Sequence, residues 1–202
     1  MQITKVAPAA KTPGRYNIFV DGQYSFSLDE LQLVQAGLHS GLDIDEEQLA
    51  KFRNESEFGK NYIRAIDLIS RRLRSEKEIR DYARRKSWTA DNTERVIERL
   101  KVRGYLNDKV FAESFVRARQ NAGKYSRRRI ELDLRRKGIA DSIVKEVLHD
   151  EVSDTDALRK LIAKRVKRYD DPTKLKAYLL RAGFNYDDIN REIDAYHNSS
   201  DN

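Results

Sequence analysis

The chain has 202 residues, of which 36% are charged and 39% hydrophobic, and this composition suits thin helical layers better than one thick globular core. It has no cysteine, no secretory signal and no apolar run near the ~18 residues of a membrane span, which excludes disulfides and thiolate sites and predicts a cytoplasmic protein without membrane contact. The formal net charge of +7 is uneven, with net −4 in residues 1–57, net +11 in 58–150 and net 0 in 151–202, so the middle of the chain favours a polyanionic partner or an acidic protein surface.

The first predicted element is a β-hairpin in "RYNIFVDGQYSFSL". Its apolar residues alternate on both sides of Asp21-Gly22, a pair that tolerates the positive φ of a tight hairpin turn. Two short helical pieces, "LDELQLVQAG" and "DIDEEQLAKF", follow and are expected to pack on the hairpin, because an isolated hairpin is marginal in water. We assign residues 1–57 to this module.

From about Phe58 onward the apolar period is that of a helix, and one three-helix unit occurs three times. Its middle helix begins at Ser75, Ser126 and Asp171, and Ser75 with Glu78 has the spacing of a capping box. The anchor positions are 51 and 45 residues apart, within the period range of repeat architectures. The aligned apolar positions are Ile79, Ala83 and Trp88, then Ile130, Leu134 and Ile139, then Leu175, Leu179 and Phe184.

Each middle helix is expected to end at a residue in the left-handed conformation, namely Ser87, Gly138 or Gly183. The sequence therefore predicts a mainly α fold, with three tandem three-helix repeats in an elongated curved stack behind a small N-terminal module that contains the β-hairpin. The predicted repeats cover residues 58–106, 107–151 and 152–202.

No residue pattern predicts catalysis or a metal site. His39, His149 and His197 stand alone in separate modules, without a second ligand at a suitable spacing. The acidic pairs at 170–171 and 187–188 precede predicted helices, where capping explains them better than a nuclease site does. We expect no enzyme activity, no cofactor and no bound metal.

The aromatic residues are better explained as core than as platforms for nucleic-acid bases. Trp88 occupies a repeat position held elsewhere by Ile139, so we expect it to be buried. Tyr105, Phe111 and Phe115 follow a helical spacing and are also expected in the core. For Tyr125, which precedes the most basic helix, a stacking or partner contact stays open.

The most basic helix is "SRRRIELDLRRKGI", residues 126–139. Its core stripe is Ile130 and Leu134, and Glu131 and Asp133 are expected to point sideways, leaving the outward arginines uncompensated. The planar arginine fork suits phosphate or carboxylate, so we favour a polyanion or an acidic groove over a merely solvated face. The outward arginines are Arg128, Arg129, Arg135 and Arg136, matched in the first repeat by Arg84 and Arg85.

Two segments resemble the central part of the RecX family of recombinase regulators. They are "GYLNDKVFAESFVRAR" and "GKYSRRRIELDLRRKGI", which contain a Gly-aromatic-Leu-Asn-Asp turn, a Phe-Ala pair, a Val-Arg-x-Arg pair and a Lys-Gly-Ile ending in order. "RSEKEIRDYARRK" is similar to the family's first repeat, and the Asp-Gly hairpin is similar to the N-terminal extension of one bacterial branch. The chain departs from many members at Ser126-Arg127, where they have Gly-Pro.

The resemblance implies a non-catalytic modulator of DNA recombination, repair and the SOS response. Such a protein binds the groove of the RecA filament on single- or double-stranded DNA, without sequence preference, and mostly inhibits RecA ATPase and strand exchange. A monomer is expected, and the alternative is a DNA-binding repeat protein without a recombinase partner. The predicted DNA- and filament-binding residues are Arg84, Arg85, Arg117, Arg119, Lys124, Arg128, Arg129, Arg135, Arg136, Lys137, Lys164 and Arg168.

Overall fold

The structure is a computed structural model that describes residues 1–10, 12–148, 154–169 and 171–200, without the side chains of 199 and 200. Three strands come first and helices follow, which confirms a mainly α chain with a small N-terminal β module. In chain order the elements are β1 (Ile3–Pro8), β2 (Arg15–Val20), β3 (Gln23–Asp29), α1 (Glu30–Gln35), α2 (Glu46–Arg71), α3 (Glu76–Arg85), α4 (Ala90–Val102), α5 (Asp108–Ala122), α6 (Arg127–Arg136), α7 (Asp141–Val147), α8 (Asp154–Arg165), α9 (Pro172–Arg181) and α10 (Tyr186–Ser200).

The chain divides into two compact units. Unit 1 comprises Met1–Leu73 and Ile79–Leu106, and unit 2 comprises Arg74–Glu78 and Asn107–Asn202. The N-terminal module and most of the first repeat thus belong to unit 1, whereas the second and third repeats belong to unit 2. The four-part division made from the sequence stays a prediction.

The N-terminal sheet is antiparallel with strand order β1-β2-β3. Its turn is the one predicted, since Asp21 and Gly22 both have positive φ, at 49° and 81°. The first strand was not predicted, because Ile3 and Val6 lie three residues apart and do not alternate as in a regular strand, and the pairing with β2 has a register shift between Ile3 and Lys5. The inner face of the sheet is apolar, with Ile3, Ile18 and Phe26 buried.

Helix α2 corrects one expectation. "DIDEEQLAKF" is not a separate short helix but the start of a 26-residue helix, which begins after the capping box of Asp45. This helix is fastened to the sheet by Ser56, whose hydroxyl donates to the Ser27 carbonyl oxygen at 2.7 Å. Since α2 runs across residues 57–58, the N-terminal module and the first repeat share one helix.

The first repeat packs on the C-terminal half of α2. Its core includes Ile79, Val96 and Leu100, all fully buried. Trp88 is half-buried against this cluster rather than fully buried, with its ring edge-on to Tyr82 at 5.7 Å between centroids. Its indole nitrogen is shielded from solvent and has no hydrogen-bond partner in the described structure.

Unit 2 contains two separate helical cores, one per repeat. The predicted phase of the middle helices is confirmed, since Ile130 and Leu134 of α6 and Leu175 and Leu179 of α9 are all buried. Phe111 is also buried, as predicted. The other cluster members come from the flanking helices and include Ala112, Val144 and Leu148 in the second repeat and Leu158, Ile162 and Ile189 in the third.

The prediction for Tyr105 is wrong. It lies in the turn before α5, where its side chain is 52% exposed, so it shares no helix face with Phe111. A helical spacing counted across an N-cap residue such as Asn107, whose backbone is extended with a φ of −149°, does not place two side chains on one stripe.

The second and third repeats meet at the start of α6. The Ser126 amide donates to the carbonyl of Ala182 at 3.0 Å, and the Arg127 amide donates to the Asp154 carboxylate at 2.7 Å. Gly183 has a φ of 96°, and a Cβ there would lie 2.5 Å from Ser126 Oγ. The glycine is therefore required both by its conformation and by the close approach of α6.

The segment Arg74–Glu78 makes corresponding contacts with the second repeat. The Ser75 hydroxyl donates to the carbonyl of Lys137 at 2.7 Å, and the Glu76 amide donates to Asp108 at 2.8 Å. A Cβ at Gly138 would lie 2.6 Å from Lys77 Cβ. In both places an aspartate in the first turn of a later helix, Asp108 of α5 or Asp154 of α8, accepts from the first amide of a middle helix, α3 or α6. We call these two sets of contacts, both within unit 2, the joints.

Candidate nucleic-acid and filament interface

Helix α6 holds the centre of the predicted interface. Ser126 is fully buried, and its hydroxyl accepts from the Arg129 amide at 3.2 Å, so the helix begins at the predicted residue without the Gly-Pro entry. Burial of Ile130 and Leu134 fixes the rotation of the helix. The arginines therefore lie on its remaining surface.

The expectation that these arginines are uncompensated is wrong for three of the four, Arg129, Arg135 and Arg136. Asp133 lies 3.3 Å from Arg129 Nε and 3.9 Å from Arg136 Nη1, and it is itself only 15% exposed. Glu131 lies 2.9 Å from Arg135, which also contacts Asp141 at 2.9 Å. Long side chains three or four residues apart on a helix reach one another easily, even when their Cβ atoms point in different directions.

Arg119 and Lys137 of the predicted set serve the fold of the second repeat. Arg119 lies 4.9 Å and 4.5 Å above the rings of Phe115 and Tyr125 and 3.8 Å from Asp133. Lys137 donates to Glu78 at 2.9 Å. The Arg119 guanidinium thus covers one face of the Tyr125 ring.

The predicted set therefore divides into engaged and open cations. The engaged ones have an ion-pair partner and are Arg84, which contacts Asp81 at 3.2 Å, with Arg119, Arg129, Arg135, Arg136 and Lys137. The open ones are exposed and have no hydrogen bond or ion pair from their side chains within the described ranges: Arg85 in unit 1, and Arg117, Lys124, Arg128, Lys164 and Arg168 in unit 2.

Arg127 is a further open cation that sequence reasoning missed. Its position in the predicted helix is beside the core stripe, but the residue is exposed, and its side chain has no partner in the described part of the chain. With Lys124 and Arg128 it forms what we call the open cluster, three cations within five residues at the entry to α6. The sequence does indicate a cationic helix start, because the first turn of α6 contains arginines and no acidic residue.

That first turn runs against the helix macrodipole. The positive end of a helix favours acidic residues, and α5, α7, α8 and α10 each have aspartate in their first turn. Asp154 offsets part of the conflict through its bond to the Arg127 amide. Because the Arg127 and Arg129 amides are occupied by Asp154 and Ser126, the feature that attracts phosphate or another anion here is the positive charge of the exposed side chains.

The histidines make local contacts where the structure describes them. His39 contacts the carbonyl of Ser40 at 3.1 Å, His197 packs edge-on to Tyr196, and His149 lies outside the described residues. In the described part of the chain, no group of three or more His, Cys, Asp or Glu residues has the arrangement of a metal site.

The acidic pairs serve helix starts where the structure describes them. Asp171 caps α9, and the bond from the Thr173 amide lowers the pKa of its carboxyl. Asp187 and Asp188 lie in the first turn of α10 rather than before it. None of the described helices is both long enough and apolar enough to cross a membrane.

Comparison with known proteins places all of these features within one family. Models described as the N-terminal domain of regulatory protein RecX, the first three-helix domain of RecX and the second three-helix domain of RecX match residues 1–45, 62–100 and 107–148. The chain is 33% identical to regulatory protein RecX of Bacillus subtilis, over 98% of this chain and 79% of the relative. It is 28% identical to that of Caldanaerobacter subterraneus, over 96% and 98%.

Two solved structures are also similar. A crystal structure of regulatory protein RecX matches with a TM-score of 0.75 and 28% identity, covering 96% of this chain and 98% of that one. The crystal structure of RecX from Lactobacillus salivarius matches with a TM-score of 0.57 and 32% identity, covering 68% of this chain and 95% of that one.

Proposed function

Because this chain belongs to the RecX family of regulatory proteins, we propose that it binds the RecA filament on DNA in the cytoplasm and restrains RecA ATPase and strand exchange. It acts by occupying its binding site on the filament and not by catalysing a reaction. The observation that carries the proposal is the open cluster, Lys124, Arg127 and Arg128, at the start of α6.

The open cluster supports binding to a polyanion for an energetic reason. An arginine paired with a carboxylate has fewer free N–H donors and a partly neutralised charge, so it attracts phosphate less strongly than an exposed cation without a partner. The six engaged cations are therefore poorer candidates. We assign them to stabilising the surface of the repeats, and we assign recognition to the open ones.

The proposed target combines DNA phosphates and protein. Unit 2 has further open cations at Arg117, Lys164 and Arg168. A sequence-independent charge pattern suits a nucleoprotein filament, in which phosphates recur at a fixed spacing and each bound phosphate adds affinity without base reading. By lying along such a filament, the protein would hinder the entry of further DNA and would hold neighbouring RecA subunits in a fixed arrangement.

The test compares three targets with one variant and one matched control. The variant is K124Q/R127Q/R128Q, and the control K145Q/K160Q/K174Q removes three exposed cations of unit 2 from α7, α8 and α9. Binding to the RecA–DNA filament, to naked DNA and to RecA alone is measured at several salt concentrations, with ATPase and strand exchange as readouts.

We expect the wild type to bind the filament more tightly than either naked DNA or RecA alone and to inhibit both reactions. The variant should bind the filament at least about tenfold more weakly, while the control changes little, and the salt slope should fall by about 0.7–0.9 for each phosphate that the variant no longer binds. Equal binding to naked DNA and filament, with no effect on RecA, would favour the alternative of a DNA-binding protein without a recombinase partner.

A further inference from the structure

Unit 1 contains a cavity that the proposed function does not use. It has a volume of about 610 Å³ and is lined by residues of β2, β3 and α2. Three of the lining residues are cations, namely Arg15, Lys60 and Arg64, and no carboxylate is among the described lining residues. This concentration of positive charge lies in the part of the sequence where acidic residues otherwise predominate, since residues 1–57 carry net −4.

Arg15 is the least expected of the three. It is only 5% exposed, yet no carboxylate in the described structure lies within ion-pair distance of it. Its side chain donates to the hydroxyl of Ser27 and to the Ser27 carbonyl, but its Nη1 atom has no hydrogen-bond partner. Burial lowers the pKa of this guanidinium, and the charge of Asp29 offsets only part of that effect. A buried cation with an unmet donor is costly unless a ligand completes it.

Lys60 and Arg64 are two further cations of the cavity whose positive charges are not balanced by an ion pair in the described structure. They are four residues apart on α2, where like charges repel. Lys60 has no ion pair or hydrogen bond from its side chain to any described residue, and the contact of Arg64 is with the Asn61 amide oxygen at 3.4 Å. An anion between them would remove the repulsion. Asn17 and Tyr24 also line the cavity and add polar groups for an anion with several oxygens.

The cavity wall also has exposed apolar surface, beside the polar side chains of Thr12, Asn17 and Ser27. Tyr24 is 54% exposed and Ile63 is 48% exposed, and both line the cavity. The volume exceeds the size of a lone phosphate and falls within the range of about 300–1,000 Å³ typical of small-molecule sites. A ligand that fits all these features carries a phosphate at one end and a flat aromatic group at the other, because a base ring stacks well on tyrosine.

We propose that this cavity binds a nucleoside monophosphate, with its phosphate among Arg15, Lys60 and Arg64 and its base against Tyr24 and Ile63. The same chemistry has two sources, namely a free nucleotide and the 5′-phosphorylated end of a DNA strand. The site belongs to unit 1 and is independent of the open cluster, which belongs to unit 2.

The experiment titrates the full-length chain by calorimetry with AMP, adenosine and inorganic phosphate, and compares K60Q/R64Q with wild type. The matched control is K51Q/R53Q, which removes two exposed cations from the same helix outside the cavity lining. We expect AMP to bind more tightly than phosphate and adenosine not to bind measurably. We also expect K60Q/R64Q to weaken AMP binding at least about tenfold, while K51Q/R53Q leaves it unchanged.

Two short oligonucleotides, identical except for a 5′-phosphate or a 5′-hydroxyl, distinguish the sources. A preference for the phosphorylated strand that disappears in K60Q/R64Q identifies a strand end as the ligand, whereas AMP binding without such a preference identifies a free nucleotide. Either result upholds the site. The proposal is overturned if AMP does not bind, or if K60Q/R64Q, shown by circular dichroism to be folded, binds AMP as tightly as wild type.

Discussion

The second and third repeats bury apolar side chains at the same positions but expose different side chains to solvent. Ile130 and Leu134 of α6 correspond to Leu175 and Leu179 of α9, and all four are buried. Yet α6 begins with three arginines, whereas α9 begins with Pro172 after an aspartate cap and exposes Leu180. The two helices show that a few apolar positions and the helix ends are enough to define the repeat. The remaining surface is then available to carry a binding function in one copy and not in another.

The largest effects should come from the positions that the two repeats share. Leu134→Ala and Leu179→Ala each remove a fully buried side chain from a small core, so each should lower the free energy of unfolding by about 2–5 kcal/mol. Chemical denaturation followed by circular dichroism measures this. A variant of either kind that unfolds at the wild-type denaturant concentration would show that the two cores are not equivalent.

Replacing glycines with alanine distinguishes the two joints from a helix end that has no close neighbour. Gly138, Gly183 and Gly123 all have positive φ, so replacing any of them with alanine should cost about 1 kcal/mol through backbone conformation alone. At Gly123 the nearest atom to a new Cβ is 3.9 Å away, which makes this position the control.

A new Cβ at Gly183 would meet Ser126 Oγ, Arg129 Cβ and the Arg129 backbone nitrogen, and one at Gly138 would meet Lys77. We therefore expect Gly183→Ala to destabilise unit 2 most, Gly138→Ala less and Gly123→Ala least. Equal destabilisation at the three positions would mean that the close approach of the repeats is not part of their stability.

The sequence predicted the joints less well than the cores, for a physical reason. The caps at Ser75 and Ser126 and the glycine ends follow from local backbone chemistry, which residue type alone reveals. The contacts that these residues make with the next repeat depend on tertiary packing. Strand β1 was missed for a local reason instead, because a register shift between Ile3 and Lys5 interrupts the alternation of its apolar residues.

Prediction of the charged surface from the sequence was limited for a different reason. The helix phase of Arg129 and Arg135 was predictable from Ile130, but their ion pairs depend on how far each flexible side chain reaches toward Asp133 and Glu131. The first turn of α6 lacks an acidic residue, which indicates a cationic helix start, but the same turn contains the engaged Arg129, so this signal alone does not separate Arg127 from Arg129. The sequence was therefore enough to predict which helix carries the candidate site, but not which of its individual cations belong to that site.

Acid should affect the third repeat through Glu192, which is buried and accepts a hydrogen bond from Arg159 at 2.7 Å. This bond lowers the pKa of the Glu192 carboxyl below its ordinary value of 4.5. Since the folded pKa is lower than the unfolded one, the stabilisation is present above about pH 4.5 and is lost as the pH falls through the lowered value. The lowered pKa of Asp171 acts in the same direction.

Thermal unfolding between pH 7 and pH 3 checks the role of Glu192. We expect Glu192→Gln to be less stable than wild type at pH 7, and the difference to narrow as the pH falls below about 4.5. If the stability difference between Glu192→Gln and wild type stayed constant across this range, the negative charge of Glu192 would not contribute to stability.

The smallest effect on stability and the largest difference in binding should come from the charges of α6 itself. K124Q/R127Q/R128Q removes the open cluster, and R129Q/R135Q/R136Q removes three engaged arginines of the same helix, so the two variants lose the same formal charge. Neither leaves a cavity in the core, and exposed ion pairs are worth less than about 1 kcal/mol each.

Equilibrium binding of these two variants and the wild type to the RecA–DNA filament, at one fixed salt concentration, tests the central claim most directly. We predict that removal of the open cluster weakens binding at least about tenfold, while removal of the engaged arginines weakens it less than about threefold. Equal weakening by the two variants would show that only total charge matters. Weaker binding by R129Q/R135Q/R136Q than by K124Q/R127Q/R128Q would contradict the assignment of recognition to the open cluster.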